Sequence, residues 1–539
     1  FPYTTLFRSR SLSSGMMDIA RHGIMSPDRF TFEEVMTLFL AVMVTDVIVL
    51  DVFNTLGMPT STTVSLVFEL LGGAFILATL KMIGDDSLNY GMLLNSNKAL
   101  EVIMGIFSSV IIAFVFGAFV MWLSRVVFTF NYRKHSRYSI AIFGGIAFTA
   151  LSYFIFMKGL GKSPYLPAEW RDFIDQNIGS LLCATFVVSA IVMEFLHLCR
   201  VNIFKFTVLM GTFALAMAFA GNDLVNFIGV PLAGLSSYND YMANANGVGP
   251  DSFMMTSLME SAKTTPVYLL AAGFVMIVAM ATSKKAQNVI KTSVDLSRQD
   301  EGDEMFGSSS AARVIVRNCQ SADSWLNGFM PKSLKQWINS RFDKNDVELE
   351  ESAAFDVVRA AVNLVLASML ITIGTNLKLP LSTTYVTFMV AMGSSLADKA
   401  WSRESAVFRV TGVLSVIGGW FITAGVAFAA CALVCLAMHF GGILVQTAFI
   451  VLVIFMLIRS NIRYNKKSKE ESKGSTFQLM MRSHDPEIVW DLLRRHVSRT
   501  QSFVCRFALS EFNLIMDGLA NENTRELRHA NKELKKEQD

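Results

Sequence analysis

LGMPTSTT at residues 56–63 and LKLPLSTT at residues 377–384 are two copies of one unusual segment. Each copy carries a Pro two residues before the Ser of a Ser-Thr-Thr triplet, and each leads directly into a long apolar run. Repeats of this kind, in two halves of an apolar chain, are typical of transporters that arose by internal duplication. The repeated segment therefore predicts a duplicated architecture.

The composition indicates an integral membrane protein. Hydrophobic residues make up 52% of the 539 residues and charged residues 17%, whereas a soluble protein carries about 25% charged residues. Apolar stretches of roughly 20 residues, long enough to span hydrocarbon, recur along the chain. They lie at 36–54, 62–80, 100–123, 138–157, 178–198, 203–219, 266–282, 355–373, 381–397, 408–437 and 442–458. The predicted fold class is all-α and polytopic.

Short loops with an excess of Lys and Arg predict the cytoplasmic side of a membrane. Such loops lie at 125–137, at 200–205 and after Arg459, whereas the loops at 158–177 and 222–265 lack the excess. Alternating crossings then place the first Ser-Thr-Thr triplet near the inside and the second near the outside. The two halves are therefore predicted to be inverted repeats, with broken helices or re-entrant hairpins.

The interruptions between apolar segments predict the domain organisation. Residues 1–15 read as a translated adapter oligonucleotide and not as a targeting segment, so we predict an artefact at a truncated start. Residues 461–539 are predicted to be a cytoplasmic helical tail, itself truncated because its helical pattern ends without a cap. Between them we predict an incomplete first transmembrane half, the start of the second half, a cytoplasmic linker and the remainder of the second half, at 16–200, 201–282, 283–353 and 354–460.

Charge and cysteine content exclude several classes of partner. A net charge of +3 is too small to predict binding to nucleic acid. The six cysteines form no CxxC pair and have no neighbouring His cluster, so neither a disulfide framework nor a zinc site is predicted. We therefore predict no cofactor and assign no metal site.

A third motif, GNDLVN at residues 221–226, lies at the end of an apolar run. A carboxylate inside a membrane is costly unless it faces a partner, an ion or water, so Asp223 is a candidate functional residue. Asp223 and Asn226 are three residues apart and share one helical face. The nearby glycines and Pro231 favour a break in the helix that would free backbone groups to line a site. The alternative is that the motif only caps a helix at the membrane boundary.

The two Ser-Thr-Thr triplets predict a site for an anion. A Pro just before the triplet suits a helix N-terminus, where free N–H groups and the positive end of the helix dipole attract anions. Three adjacent hydroxyls add hydrogen-bond donors suited to a tetrahedral oxyanion. The alternative is that the hydroxyls bond to carbonyls of their own helix or allow close packing. The triplets alone do not choose phosphate over sulfate.

Four other acids lie inside apolar segments, Asp46, Asp51, Glu69 and Glu194. Asp46 and Asp51 precede the first triplet, with Asn54 close behind, so one of the two acids is a candidate for binding a coupling cation. Glu194 is predicted to line a wet interface.

GNDLVN at 221–226, close to the signature GANDxxN, together with PTSTT at 59–63 and PLSTT at 380–384, resembles the PiT family of inorganic phosphate transporters over most of residues 16–460. The resemblance implies transport of inorganic phosphate with a coupling cation, Na⁺ or H⁺, through two inverted repeats. It places the phosphate site on Ser61, Thr62, Thr63, Asp223, Asn226, Ser382, Thr383 and Thr384. Asn222, Asp51 and Asn54 are candidates for binding the coupling ion or supporting the site.

The family carries a GANDxxN signature in each repeat, and the first copy should precede residue 16. We therefore expect the chain to lack part of its first repeat. The competing classes are an anion channel, which needs no coupling cation, and a membrane enzyme acting on phosphorylated lipids. An enzyme needs a nucleophile with a positioned base, and no intramembrane His or Cys lies near the triplets in sequence.

The expected partners are inorganic phosphate and the lipid bilayer, with homo-oligomerisation left open. The expected location is the inner or plasma membrane, with the C-terminal tail in the cytoplasm.

Overall fold

The regular structure is helical throughout the part of the chain that the computed structural model describes, and no strand occurs within that part. The described residues are 18–56, 60–130, 137–153, 168–260, 266–283, 309–314, 316–318, 331–342, 356–377, 381–398, 403–482, 486–521 and 523–536. The predicted all-α class is therefore confirmed. The predicted artefact at 1–15 and most of the predicted linker at 283–353 lie outside the described residues.

The long helices are labelled here in chain order. They are α1 (Phe32–Thr55), α2 (Thr62–Gly84), α3 (Ser96–Phe128), α4 (Arg137–Ser152), α5 (Ile178–Leu198), α6 (Ile203–Asn244), α7 (Pro266–Thr282), α8 (Val357–Asn376), α9 (Thr383–Ala397), α10 (Arg403–Arg482), α11 (Pro486–Ala520) and α12 (Thr524–Lys536). Short helices lie at Ile19–Gly23, Pro27–Arg29, Tyr90–Leu93, Ala168–Gln176, Thr256–Met259 and Lys332–Arg341.

Among the described residues, seven helices are long and apolar enough to cross a membrane, namely α1, α2, α3, α5, α6, α8 and α10. Their outer faces expose large apolar side chains, such as Ile111 at 66% and Leu433 at 67%. Apolar surface on this scale is typical of contact with lipid. The chain is a multi-pass membrane protein.

Each apolar segment predicted from the sequence falls on a helix, and most ends are shifted by a few residues. The exception is 203–219, because α6 continues to Asn244 and so includes residues that the sequence predicts to be part of a loop at 222–265. The segments at 138–157, 266–282 and 381–397 fall on the shorter helices α4, α7 and α9. The segments at 408–437 and 442–458 both fall on α10, whose backbone is non-helical at Gly442 with a φ of 57°. The break at Gly442 thus lies between the two segments that the sequence separates.

α6 corrects one prediction, because it continues unbroken from Ile203 to Asn244 through Gly221 and Pro231. The predicted helix break at GNDLVN is wrong, and so is the alternative that the motif caps a helix end. Pro231 removes one backbone donor, but a helix packed on both sides tolerates this loss. α6 packs against α8, α1 and α4. Before the proline Gly211 lies against Leu364 of α8, and after it Gly234 lies near Phe39 of α1.

The most extensive helix pairings are α3 with α9 and α6 with α8. Glycines bring α3 and α9 together, because a Cβ on Gly117 would lie 2.7 Å from the Val390 carbonyl oxygen. A Cβ on Gly393 would press against the Phe114 carbonyl in the same way. Such contacts between small residues are how membrane helices approach closely, since apolar burial gives little driving force in lipid.

We expect Gly393→Ala to destabilise the protein by about 1–3 kcal/mol, because the added methyl forces α9 away from α3. Thermal unfolding of the purified protein in detergent measures the effect. Gly418→Ala on α10 is the matched control, since a Cβ there meets no atom within 4 Å. Equal unfolding temperatures for the two variants would contradict the close packing of α3 on α9.

The position of Arg125 differs from the sequence prediction, which placed it in a basic cytoplasmic loop. Arg125 lies in the last turn of α3, fully buried, and not in a solvated loop. Its guanidinium donates to Asp398 at 2.5 and 2.7 Å and to Asp356 at 2.9 and 3.0 Å. Asp356 begins α8 and Asp398 follows the end of α9, so the ion cluster ties three helix ends together.

The described residues divide into two compact units between Leu457 and Ile458. In the second unit α11 and α12 pack against each other. The C-terminal helical appendage predicted from the sequence is therefore present. Its cytoplasmic location stays a prediction.

Candidate functional site

The two Ser-Thr-Thr triplets begin two helices, as their sequence predicts. Ser61 caps α2 by accepting the Val64 N–H at 3.2 Å, and Ser382 caps α9 by accepting the Tyr385 N–H at 3.1 Å. Ser side chains are favoured at this position because they satisfy a backbone donor that lacks a helical partner. Both serines are buried, and each hydroxyl hydrogen can still be donated.

The N-termini of α2 and α9 meet inside the protein, although 318 residues separate the contacting groups. The Thr63 hydroxyl donates to the Leu381 carbonyl oxygen at 3.1 Å. The positive ends of two helix dipoles thus lie side by side in a buried place. This is electrostatically suited to an anion.

The middle of α6 lies against this meeting point through its two asparagines. The Asn226 amide donates to Thr63 Oγ1 at 2.7 Å and reaches Thr62 Oγ1 at 3.5 Å. The Asn222 amide donates to the Leu381 carbonyl oxygen at 3.2 Å. α6 therefore contacts the start of α2 and the residue before α9 at the same time.

Asp223 connects the same part of α6 to the second triplet. The Thr383 hydroxyl lies 2.9 Å from both carboxylate oxygens of Asp223, and the Asn222 amide donates to Oδ1 at 3.1 Å. A hydroxyl and an amide thus hold a carboxylate that has no cation beside it among the described residues. Asp223 is aimed at the site and does not cap a helix.

The amide oxygens of Asn222 and Asn226 have no hydrogen-bond partner among the described residues. Asn222 is fully buried and Asn226 is 4% exposed. A buried acceptor without a donor costs about 1–3 kcal/mol, so such atoms point to an interaction with something beyond the side chains here. The site combines these two acceptors with hydroxyl donors, amide donors and one carboxylate.

The sequence model described as the phosphate transporter family matches residues 8–293, more than half of the chain. The chain belongs to the phosphate transporter family. It is a transporter of phosphate and not an enzyme. The match begins within residues 1–15. The structure does not describe these residues, so their assignment as an artefact stays a prediction.

A solved structure described as "the sodium-dependent phosphate transporter" superimposes on this phosphate transporter with a TM-score of 0.52. It is 15% identical and covers 81% of this chain and 89% of its own. The likeness supports a common fold. No curated protein matches the chain in sequence.

In this phosphate transporter, the candidate residues Asp51 and Asn54 lie in the last two turns of α1, partly buried. They are three residues apart on one helical face, shortly before the first triplet. Thr384 lies one residue into α9 and is partly buried. The side-chain contacts that join GNDLVN to the two triplets run through Thr62, Thr63 and Thr383. The roles of Asp51, Asn54 and Thr384 therefore stay predictions.

The Leu381 carbonyl is the site group that sequence reasoning missed. It accepts hydrogen bonds from Thr63 and Asn222 and so joins all three motifs of the transporter. An apolar side chain gives no sign of what its backbone binds. The available signal was its position just before Ser382, since a residue preceding an N-cap keeps a free carbonyl.

Proposed function

We propose that this protein is a secondary active transporter that carries inorganic phosphate together with a cation by alternating access. The observation that carries the proposal is that Asp223, Asn222 and Asn226 of α6 join the N-termini of α2 and α9. A phosphate dianion needs hydrogen-bond donors and the positive ends of helix dipoles, and a coupling cation needs a carboxylate. This buried site offers the donors and dipole ends together with the carboxylate.

The hydrogen bonds of the site suggest how cation and phosphate depend on each other. In this conformation the Thr383 hydroxyl is occupied by Asp223. A cation that binds the carboxylate competes with this hydroxyl, which then turns to donate to a phosphate oxygen. Phosphate binding is thereby favoured only after the cation is bound, which is what coupled transport requires.

The head-to-head contact of α2 and α9 supports two inverted repeats. α1 and α2 form one helix pair around the first triplet, and α8 and α9 form the matching pair around the second. Two such pairs meeting at a central site are the arrangement in which one repeat rocks against the other. Phosphate would then contact Ser61, Thr62 and Thr63 from one repeat and Ser382, Thr383 and Thr384 from the other.

Na⁺ is the first candidate for the coupling ion, because the similar solved structure is described as sodium-dependent. H⁺ is the alternative. Uptake of labelled phosphate into proteoliposomes, with Na⁺ and pH gradients imposed separately, distinguishes the two. Accumulation that follows neither gradient would contradict coupled transport and favour an anion channel, and the absence of uptake would contradict phosphate transport itself.

We expect arsenate to compete strongly with phosphate and sulfate to compete weakly. Phosphate and arsenate carry a proton at neutral pH that can be donated to a carboxylate or amide oxygen, whereas sulfate has none. Sulfate would leave the acceptors at Asp223, Asn222 and Asn226 unpaired and repulsive. The measurement is phosphate uptake with each competitor present, and strong inhibition by sulfate would contradict this account of selectivity.

We expect Thr383→Ala to weaken the apparent affinity for phosphate by about 5- to 150-fold, equivalent to about 1–3 kcal/mol. The substitution removes the hydroxyl that faces Asp223. Thr387→Ala is the matched control one turn along α9, because its hydroxyl donates only to the carbonyls of Thr383 and Thr384. An unchanged affinity in Thr383→Ala would favour a packing role for the triplet.

A further inference from the structure

A second pair of acids lies buried between α1 and α2, apart from the contacts of the phosphate site. Asp46 is 8% exposed and Glu69 is fully buried. The Ser65 hydroxyl donates to Glu69 Oε1 at 2.7 Å and also contacts the Asp46 carboxyl. The sequence singles out both acids, but it gives no sign that they meet.

Each carboxyl of this pair keeps one oxygen without a partner. Asp46 Oδ1 and Glu69 Oε2 are buried and accept no hydrogen bond from any described residue. Ser65 has one hydroxyl hydrogen, which is already donated to Glu69. The unpartnered oxygens therefore need a donor that the described side chains do not supply.

The described residues around the pair supply no positive charge. Among the described residues, the charged group that acts on Glu69 is Asp46, and no Lys, Arg or His acts on either acid. The titratable group that faces Glu69 from α10 is the buried thiol of Cys431, beside Cys435. Neither thiol is a cation, so two ionised carboxylates here would be uncompensated.

We propose that Asp46 and Glu69 form a proton-binding site in which one of the two carboxyls stays protonated. Two buried carboxylates that contact the same hydroxyl do not both ionise, because burial and mutual repulsion each oppose the second charge. A retained proton turns one of the two unpartnered oxygens from an acceptor into a donor and removes one of the two buried charges. A metal cation would need a shell of several ligands, and no group of three or more His, Cys, Asp or Glu able to hold a metal ion occurs among the described residues.

The position of the pair links it to the phosphate site. Thr62, Ser65 and Glu69 recur at spacings of three and four residues and so share one face of α2. Seven residues of helix separate Thr62 from Glu69 by about 10 Å. Loss of the proton would add a negative charge on the helix that binds the anion. This link to transport rests on the proposed function, whereas the proton site itself does not.

Infrared spectroscopy of the purified full chain tests the site without any transport assay. A buried protonated carboxyl gives a carbonyl band at neutral pH that shifts in D₂O, and we expect this band in the unmodified protein. Asp46→Asn/Glu69→Gln should remove the band, and Ser65→Ala should shift it. Glu101→Gln, which alters an exposed acid on α3, should leave it unchanged.

A spectrum without this band in the unmodified protein would overturn the proposal, and so would a band of unchanged intensity in the double variant. Loss of the band on adding Na⁺ would also overturn it and identify a sodium site. The result on the unmodified protein holds even if a variant fails to fold.

A second measurement tests the link to transport. With a Na⁺ gradient driving phosphate entry into proteoliposomes, phosphate uptake is measured as a function of pH for the unmodified protein and for the double variant. The double variant should transport phosphate with a flatter dependence on pH. Equal pH profiles would overturn the link, whereas a lack of phosphate uptake by the unmodified protein would overturn the proposed function and leave the infrared result standing.

Discussion

Asp223→Asn is expected to reduce phosphate uptake to the background of protein-free vesicles. The amide keeps the shape of the side chain and its contact with Thr383, but it loses the negative charge that can hold a cation beside a dianion. The new amide also brings two donor hydrogens close to the Thr383 hydroxyl and the Asn222 amide, which themselves donate to this side chain. We therefore expect the largest loss of function from this single change, with near-normal folding.

The measurement compares uptake in proteoliposomes at equal protein content. Asp86→Asn is the matched control, because Asp86 is exposed just after the end of α2 and lies outside the site. Gel filtration in detergent checks that both variants fold. Normal phosphate accumulation by Asp223→Asn would show that the carboxylate is not needed for coupling.

Arg125→Met is expected to destabilise the protein by about 3–5 kcal/mol, since it removes the buried cation that donates hydrogen bonds to both acids. Arg125, Asp356 and Asp398 are each at most 5% exposed, and the guanidinium makes four hydrogen bonds to the two acids. Arg359 lies 4.0 Å from Asp398, too far to replace the lost bonds. Thermal and denaturant unfolding in detergent measure the effect.

Two further variants test whether the loss of stability comes from the buried charge. Lys98→Ala removes an exposed ion pair with Glu101 at the other end of α3 and should cost at most about 1 kcal/mol. Arg125→Met/Asp356→Asn restores the balance of charge while Asn still caps α8, so it should recover part of the lost stability. A double variant less stable than Arg125→Met would contradict the electrostatic explanation.

Local pattern was enough to find the helices and their starts. The apolar run from 62 to 80 predicts α2 because a bilayer fixes the length of its spanning segments. Ser61 and Ser382 predict the first turns of α2 and α9 because a cap acts on backbone groups two or three residues away. The motif at 221–226 likewise singled out Asp223 from the cost of a charge in a membrane.

The sequence misjudged α6 and Arg125 for a related reason. Gly221 and Pro231 weaken a helix locally, and the loss is offset by packing against α8, α1 and α4, which no local window contains. Arg125 resembles a loop charge because its partners lie 231 and 273 residues away. Both errors arise where a distant contact outweighs a local preference.

The sequence by itself determined the all-α membrane fold, the places of its helices and the polar residues that are candidates for binding phosphate. Only the tertiary structure decided which of these residues meet. Thr63 reaches Leu381, Thr383 reaches Asp223, and Glu69 lies near Asp46 through the packing of whole helices. Hydrophobic length and capping act over a few residues, whereas helix packing depends on side-chain shapes across the whole molecule.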